Sequence, residues 1–157
     1  YEQAIEFCQQ RLDITREIGD QLGEAIALSS LGSIYYTLEN YFDSVDLHNQ
    51  ALLIFRKISS QANESSTLLS LGVALLELEQ NVEALEALQA ALNISRKIEI
   101  PLLEAKVLKS LAKLHQKTGS IDQAKEYCDR ALELAIELGI PLVEECEELK
   151  AQLENEL

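Results

Sequence analysis

Few side chains in this 157-residue chain are suited to chemistry: two histidines, three cysteines, a glutamate cluster and a run of lysines. His48 and His115 could in principle bind metal or move a proton, but neither has a partner at the i, i+4 or Cys-x-x-Cys spacing that a metal site favours. Cys8, Cys128 and Cys146 are odd in number and lack Cys-x-x-Cys spacing. They read as reduced, small hydrophobes of a cytoplasmic protein rather than as a disulfide framework. Glu144, Glu145, Glu147 and Glu148 lack the alternating Asp/Asn ligands and glycine of a calcium loop. Carboxylates early in a helix are favoured by its dipole, so the cluster reads as a solvated face. No Gly-rich phosphate loop and no nucleophile–base pair can be placed. The expectation is therefore no catalytic residue, no metal and no cofactor.

Lys106, Lys109, Lys113 and Lys117 stand apart. Their spacing puts four cations on one helix face by the i, i+3, i+4 rule. Residues 17–55 carry six acids and no Lys or Arg, and residues 64–94 carry five acids and none. Like charges at this spacing repel by a few tenths of a kcal/mol per pair. A chain with 27 Asp+Glu against 13 Lys+Arg had acids to interleave there. The stripe thus invites a functional reading beside the plainer one of a solvated helix face.

The elements that position these residues come from an internal repeat. Leu31-Gly32 recurs as Leu71-Gly72 and Leu111-Ala112, and Ala51-Leu52 recurs as Ala91-Leu92 and Ala131-Leu132, always at the same step. Ala4, Ser44, Ala84 and Ala124 keep the step, as do Ile100-Pro101 and Ile140-Pro141. Each period reads as two amphipathic helices. Leu28, Leu31, Gly32 and Tyr35 form one apolar stripe, and Val45, His48, Ala51, Leu52 and Phe55 the next. Breaks fall at Gly19-Asp20, Glu39-Asn40 and Ser59-Ser60, with Gly19 as a C′ residue, Asp20 as an N-cap and Pro101 and Pro141 in first turns. The spacing predicts helices from the N-terminus to about Ile18 and then over roughly 22–38, 41–58, 62–78, 81–98, 101–117, 121–138 and 141–156. Through the repeat, His48 shares a slot with Cys8, Leu88 and Cys128, and His115 with Tyr35 and Leu75. Both are expected to be packed between helices, each with a satisfied ring nitrogen.

The pattern Leu28-x-x-Leu31-Gly32-x-x-Tyr35, followed by small residues at Ser44 and Ala51, resembles the tetratricopeptide repeat. The 40-residue period is similar to the long-repeat subclass of Pins-type adaptors and bacterial signalling proteins. Ser44 replaces the usual Ala, Ala112 the Gly, and Leu28, Leu68 and Leu108 the Trp. The resemblance implies an all-α, right-handed superhelical solenoid of antiparallel helix pairs, about eight helices in one domain. Residues 1–20 would hold the second helix of a truncated repeat, 21–60, 61–100 and 101–140 full repeats, and 141–157 a capping helix with one polar face. A start in mid-repeat, with no Met in the chain, reads as a piece of a longer protein.

In such an array the first helix of each pair lines the concave side. The expected groove presents Ser29, Ser33, Tyr36 and Thr37, then Ser66, Ser70 and Val73, then Lys106, Lys109, Lys113 and Lys117. It would be hydroxylic at one end, apolar in the middle and cationic at the other. That suits a peptide or partner segment with acidic groups, Tyr36 supplying an aromatic contact. Relatives that bind chaperone C-termini use a Lys/Asn carboxylate clamp. Lys106 resembles one element of it, but Ser33 and Ser70 stand at the asparagine positions, so the resemblance does not carry that activity over. A net charge of −14 opposes binding to nucleic acid. The longest nearly apolar stretch, Leu68 to Leu76, is too short to span a membrane. The expected role is a protein-interaction scaffold. The alternative is a regulatory or oligomerisation segment of a larger bacterial signalling protein, self-associating through its terminal helices.

Overall fold

The computed structural model describes residues 1–155. They form eight helices: α1 (Glu2–Ile18), α2 (Gln21–Thr37), α3 (Tyr41–Lys57), α4 (Gln61–Glu77), α5 (Asn81–Lys97), α6 (Pro101–Lys117), α7 (Ile121–Leu138) and α8 (Leu142–Asn155). Pro101 is the first residue of α6, where its missing N–H costs nothing. Pro141, expected inside the last helix, sits just before α8 instead. The final positions of the expected cap, Glu156 and Leu157, lie outside the described residues.

Every helix but the last stops in the same way. Gly19, Glu39, Ser59, Glu79, Glu99, Gly119 and Gly139 all have positive φ, between 55° and 77°, and they recur at a constant step, one after each helix. The residue after each donates its N–H to the carbonyl five positions back, as Asn40 does to Tyr35 and Ser120 to His115, at 2.8–3.2 Å. This is the Schellman closure, which satisfies carbonyls the helix leaves open. The polypeptide therefore repeats its backbone with every helix and its side chains with every helix pair.

The side-chain period decides which helix faces which layer. Besides its neighbours in the chain, α2 touches α4, α4 touches α6 and α6 touches α8, so the even-numbered helices line one side of the stack. The core recurs unit by unit: Leu28, Leu68 and Leu108, then Leu31, Leu71 and Leu111, against Ala51, Ala91 and Ala131, all buried. An ion pair also recurs. Arg16–Glu24, Arg56–Glu64 and Arg96–Glu104 each join the end of one pair to the start of the next at 2.7–2.8 Å. The next arginine position in this series is held by Ile136, 60% exposed, with Glu144 in the acid's position, and the series ends there. At the far end α8 buries Leu142, Cys146, Leu149 and Leu153 and turns its glutamates outward.

Candidate groove and its pockets

The side lined by α2, α4 and α6 carries many polar residues, because most of the apolar stripe of each helix is spent on the core. Ser33 and Thr37 give their hydroxyl protons to the carbonyls of Ser29 and Ser33, at 3.1 and 3.0 Å, and Ser70 to that of Ser66 at 3.3 Å. What these hydroxyls still offer is lone pairs. Ser29 Oγ meets Thr67 Oγ1 at 3.3 Å, tying α2 to α4.

Three depressions lie along this side. The first, about 130 Å³, includes Ser29, Ser33, Ser66 and Thr67 over Phe55. The second, about 260 Å³, is lined by Ser33, Tyr36, Thr37, Leu69, Ser70 and Val73 with His48 beneath. The third, about 150 Å³, is lined by Val73, Leu76, Glu77, Lys109, Ser110 and Lys113 with Leu88 beneath, and Tyr36 at its edge. The second and third are one construction at successive repeats. Adding 40 to each residue of the second gives Val73, Leu76, Glu77, Leu88, Lys109, Ser110 and Lys113 in turn. The same backbone thus makes an uncharged pocket and then one with two cations and an acid.

His48 departs from the sequence expectation. It is 1% exposed, yet neither ring nitrogen has a hydrogen-bond partner. The imidazole packs tightly against Gly32 of α2, which has no side chain to offer it a hydrogen bond. Burial pushes its pKa down to about 4, keeping the ring neutral at pH 7. His115 is also buried, stacked on Tyr127 with ring centroids 5.3 Å apart, and its Nδ1 is likewise unpartnered. Burial lowers its pKa as well. Cys128 and Cys146 are buried where α7 meets α8, the Cys128 thiol donating to the Cys146 carbonyl at 3.3 Å. Burial pushes the Cys128 thiol up to about 11, so it is no thiolate nucleophile at neutral pH.

The four lysines have different surroundings. Lys109 is drawn to Glu145 of α8, with which it forms an ion pair. The Lys109 ammonium holds that carboxyl below its usual range, and Lys113 and Lys106 add to the effect. Lys117 Nζ donates to the Leu76 carbonyl at 2.7 Å, closing the end of α4. Lys106 and Lys113 are exposed on α6. Tyr36 is half-buried, its ring 5.4 Å from Tyr41, and burial beside Glu77 raises its pKa. Of the expected groove residues, only Lys106 and Lys117 line none of the three depressions.

Sequence reasoning misses two members of the site. His48 reads from the repeat as a helix-packing residue, which it is, but its slot is also the floor of a concave pocket. Glu145 reads as part of a solvated cap. Its slot one repeat earlier holds Ala105, fully buried, and before that Ser65 and Ala25. A carboxylate in a slot otherwise kept small is the available signal.

Two tetratricopeptide repeat models match the sequence, over residues 23–97 and 105–135. A search of curated protein sequences finds no match. Among solved structures, the apo form of RapI superposes with a TM-score of 0.85 at 18% identity, covering 97% of this chain and 43% of RapI. Aspartyl phosphate phosphatase F from Bacillus subtilis gives 0.86 at 19% identity, over 95% of this chain and 39% of its own. A putative kinesin light chain of Podospora anserina with TPR-like repeats gives 0.77 at 19% identity, over 98% and 77%. The chain spans less than half the length of RapI and of the phosphatase, and identities this low speak to fold alone. The repeat models, the helix pairs and the shared solenoid agree: this chain belongs to the tetratricopeptide repeat family.

Proposed function

We propose that the chain is a protein-interaction scaffold that takes a segment of another protein in the concave groove of α2, α4 and α6, with acidic groups of that segment at the α6 end. The observation that supports this most is the charge arrangement. Lys109 and Lys113 line one end of a groove whose other walls, Glu77 apart, are hydroxylic or apolar, and Lys106 is exposed on the same helix, on a chain of net charge −14. A local cation field within an acidic surface selects the orientation of an incoming acidic segment. The 40-residue period supports a reading of the chain as one of the long-repeat subclass. No residue is assigned a catalytic role, and the proposed scaffold acts in the cytoplasm.

The test reverses Lys106 and Lys113 to Glu, leaving Lys109 and its partner Glu145 in place. Wild-type and variant chains are then compared in cross-linking pull-downs from the native lysate. Loss of the cross-linked partners, with helicity retained by circular dichroism, is the expected result. An unchanged set of partners defeats the cationic-groove reading.

A second reading, a regulatory or oligomerisation segment of a larger bacterial signalling protein, is favoured by α1. Phe7, Ile14 and Ile18 are 68%, 57% and 70% exposed on it. Their repeat equivalents Leu47, Ile54 and Ile58 are half-buried. Light scattering after size exclusion, with Phe7 and Ile14 changed to Ser, tests whether this face joins two copies.

A further inference from the structure

The second and third depressions of the groove share two walls and differ in chemistry, which is what a surface reading two neighbouring side chains requires. Tyr36 and Val73 line both. Helices packed as neighbours lie about 8–10 Å apart, and this sets the step between the pockets. An extended segment in the polyproline II conformation rises about 3.1 Å per residue with three residues per turn, so residues i and i+3 face the same side about 9 Å apart. The steps match.

The chemistry of each pocket is set by its walls. The second has no charged lining residue. Ser33, Thr37 and Ser70 have spent their protons on helix carbonyls and present acceptors. Beneath them is a neutral imidazole with one N–H and one bare nitrogen, both buried and unpartnered. No hydrogen bond fixes the ring, and an occupant that pairs with it supplies the bond its nitrogens lack, the ring turning within its contact with Gly32. An ammonium has only donors and leaves the imidazole N–H unmet, whereas a carboxylate has only acceptors and faces lone pairs. A carboxamide supplies both. The third pocket replaces Leu69 and Val73 by Lys109 and Lys113 and Thr37 by Glu77, two cations against one acid, and its floor is the apolar Leu88. It calls for a carboxylate, which there meets Lys113 directly and competes with Glu145 for Lys109.

We propose that the groove reads two side chains of one extended partner segment, a carboxamide over His48 and, three residues away, a carboxylate between Lys109 and Lys113. The proposal rests on the groove reading given above, and the test separates the two. Random dodecapeptides displayed on phage are selected on the wild-type chain, on His48→Leu and on Lys113→Glu. Leu88 already occupies the slot of His48 against Gly72, so His48→Leu keeps the fold, as a circular dichroism melt checks. The expected wild-type selection carries Asn or Gln paired with Asp or Glu at a spacing of three. His48→Leu keeps the acid and loses the amide, and Lys113→Glu does the reverse. A synthetic copy of a selected peptide loses about tenfold in affinity to each variant, the net worth of one hydrogen bond or ion pair. Peptides that depend on Lys113 but carry an apolar or cationic residue in place of the amide, or another spacing, overturn the two-pocket proposal and leave the groove reading standing. Peptides indifferent to Lys113, or none at all, overturn both.

Discussion

The imidazole of His48 lies on Gly32 as closely as two helices allow: a Cβ on that glycine would come within 2.9 Å of Cε1 and 3.0 Å of both nitrogens. One repeat later Leu88 lies on Gly72, where a Cβ would meet its Cγ at 2.7 Å. In the third repeat the contact is rebuilt with a methyl on one side and a smaller partner on the other, Ala112 with Cys128. Size is conserved across the pair, not at either member. Gly32→Ala is therefore expected to destabilise by about 1–3 kcal/mol from overpacking, in spite of the better helix propensity of alanine. Adding His48→Cys to it should recover much of the loss, by analogy with the third repeat. Urea denaturation of the single and double variants measures this, and additive losses would refute the pairing.

Acid should weaken the fold through His48. Its pKa is about 4 in the folded chain and near 6.5 when unfolded, so between those values the unfolded state binds the extra proton. Stability is then complete above pH 6.5 and falls as the pH drops toward 4, by up to about 3 kcal/mol. His115 contributes in the same direction. Replacing His48 by Leu removes two unpaired buried nitrogens and should raise stability at pH 7 by about 1–2 kcal/mol. It should also flatten the profile between pH 6.5 and 4. Melts of wild type and variant across that range check both effects, and parallel curves would count against them.

Four of the seven left-handed turn positions are not glycine: Glu39, Ser59, Glu79 and Glu99. A side chain there costs roughly 1 kcal/mol, which glycine avoids. Glu79→Gly and Glu99→Gly should each stabilise by about 0.5–1 kcal/mol. Gly119→Ala should destabilise by a similar amount, although open space surrounds it, because the strain lies in φ alone. Thermal melts at fixed pH suffice as the readout.

Glu145 occupies part of the lysine face from within the chain. Glu145→Gln should release Lys109 and tighten binding of an acidic peptide severalfold, the effect shrinking as salt rises. Fluorescence anisotropy of a labelled acidic peptide, at low and high salt, would show it. Weaker binding would mean that Glu145 organises the lysines rather than competing for them.

The architecture is legible in the sequence because its signal is carried by large and small apolar residues that the core cannot exchange. Leu31-Gly32, Ala51-Leu52 and their copies place the helices to within a residue or two. The shorter period of the backbone is harder to see. Glycine marks it at only three of its seven positions, and glutamate or serine in the others gives no hint of a left-handed turn. The groove residues on α2 and α4 follow from helical rotation. What escapes is contact across long separations, such as Lys109 of α6 with Glu145 of α8. The repeat marks Glu145 as out of place in its slot but not Lys109 as its partner, and only the folded stack brings the two together.

The evenly spaced turns also give the molecule a ruler. Cuts made at the left-handed residues yield segments of equal length whose ends share one backbone geometry, so a segment from one unit can be spliced onto another without altering the path of the chain. Because alternate helices face opposite sides, whole cassettes must be exchanged as helix pairs rather than as single helices. Exchanging 21–60 for a second copy of 61–100 would transplant the lysine-adjacent wall intact. It would turn recognition into something composed by shuffling prefabricated panels rather than by redesigning a surface.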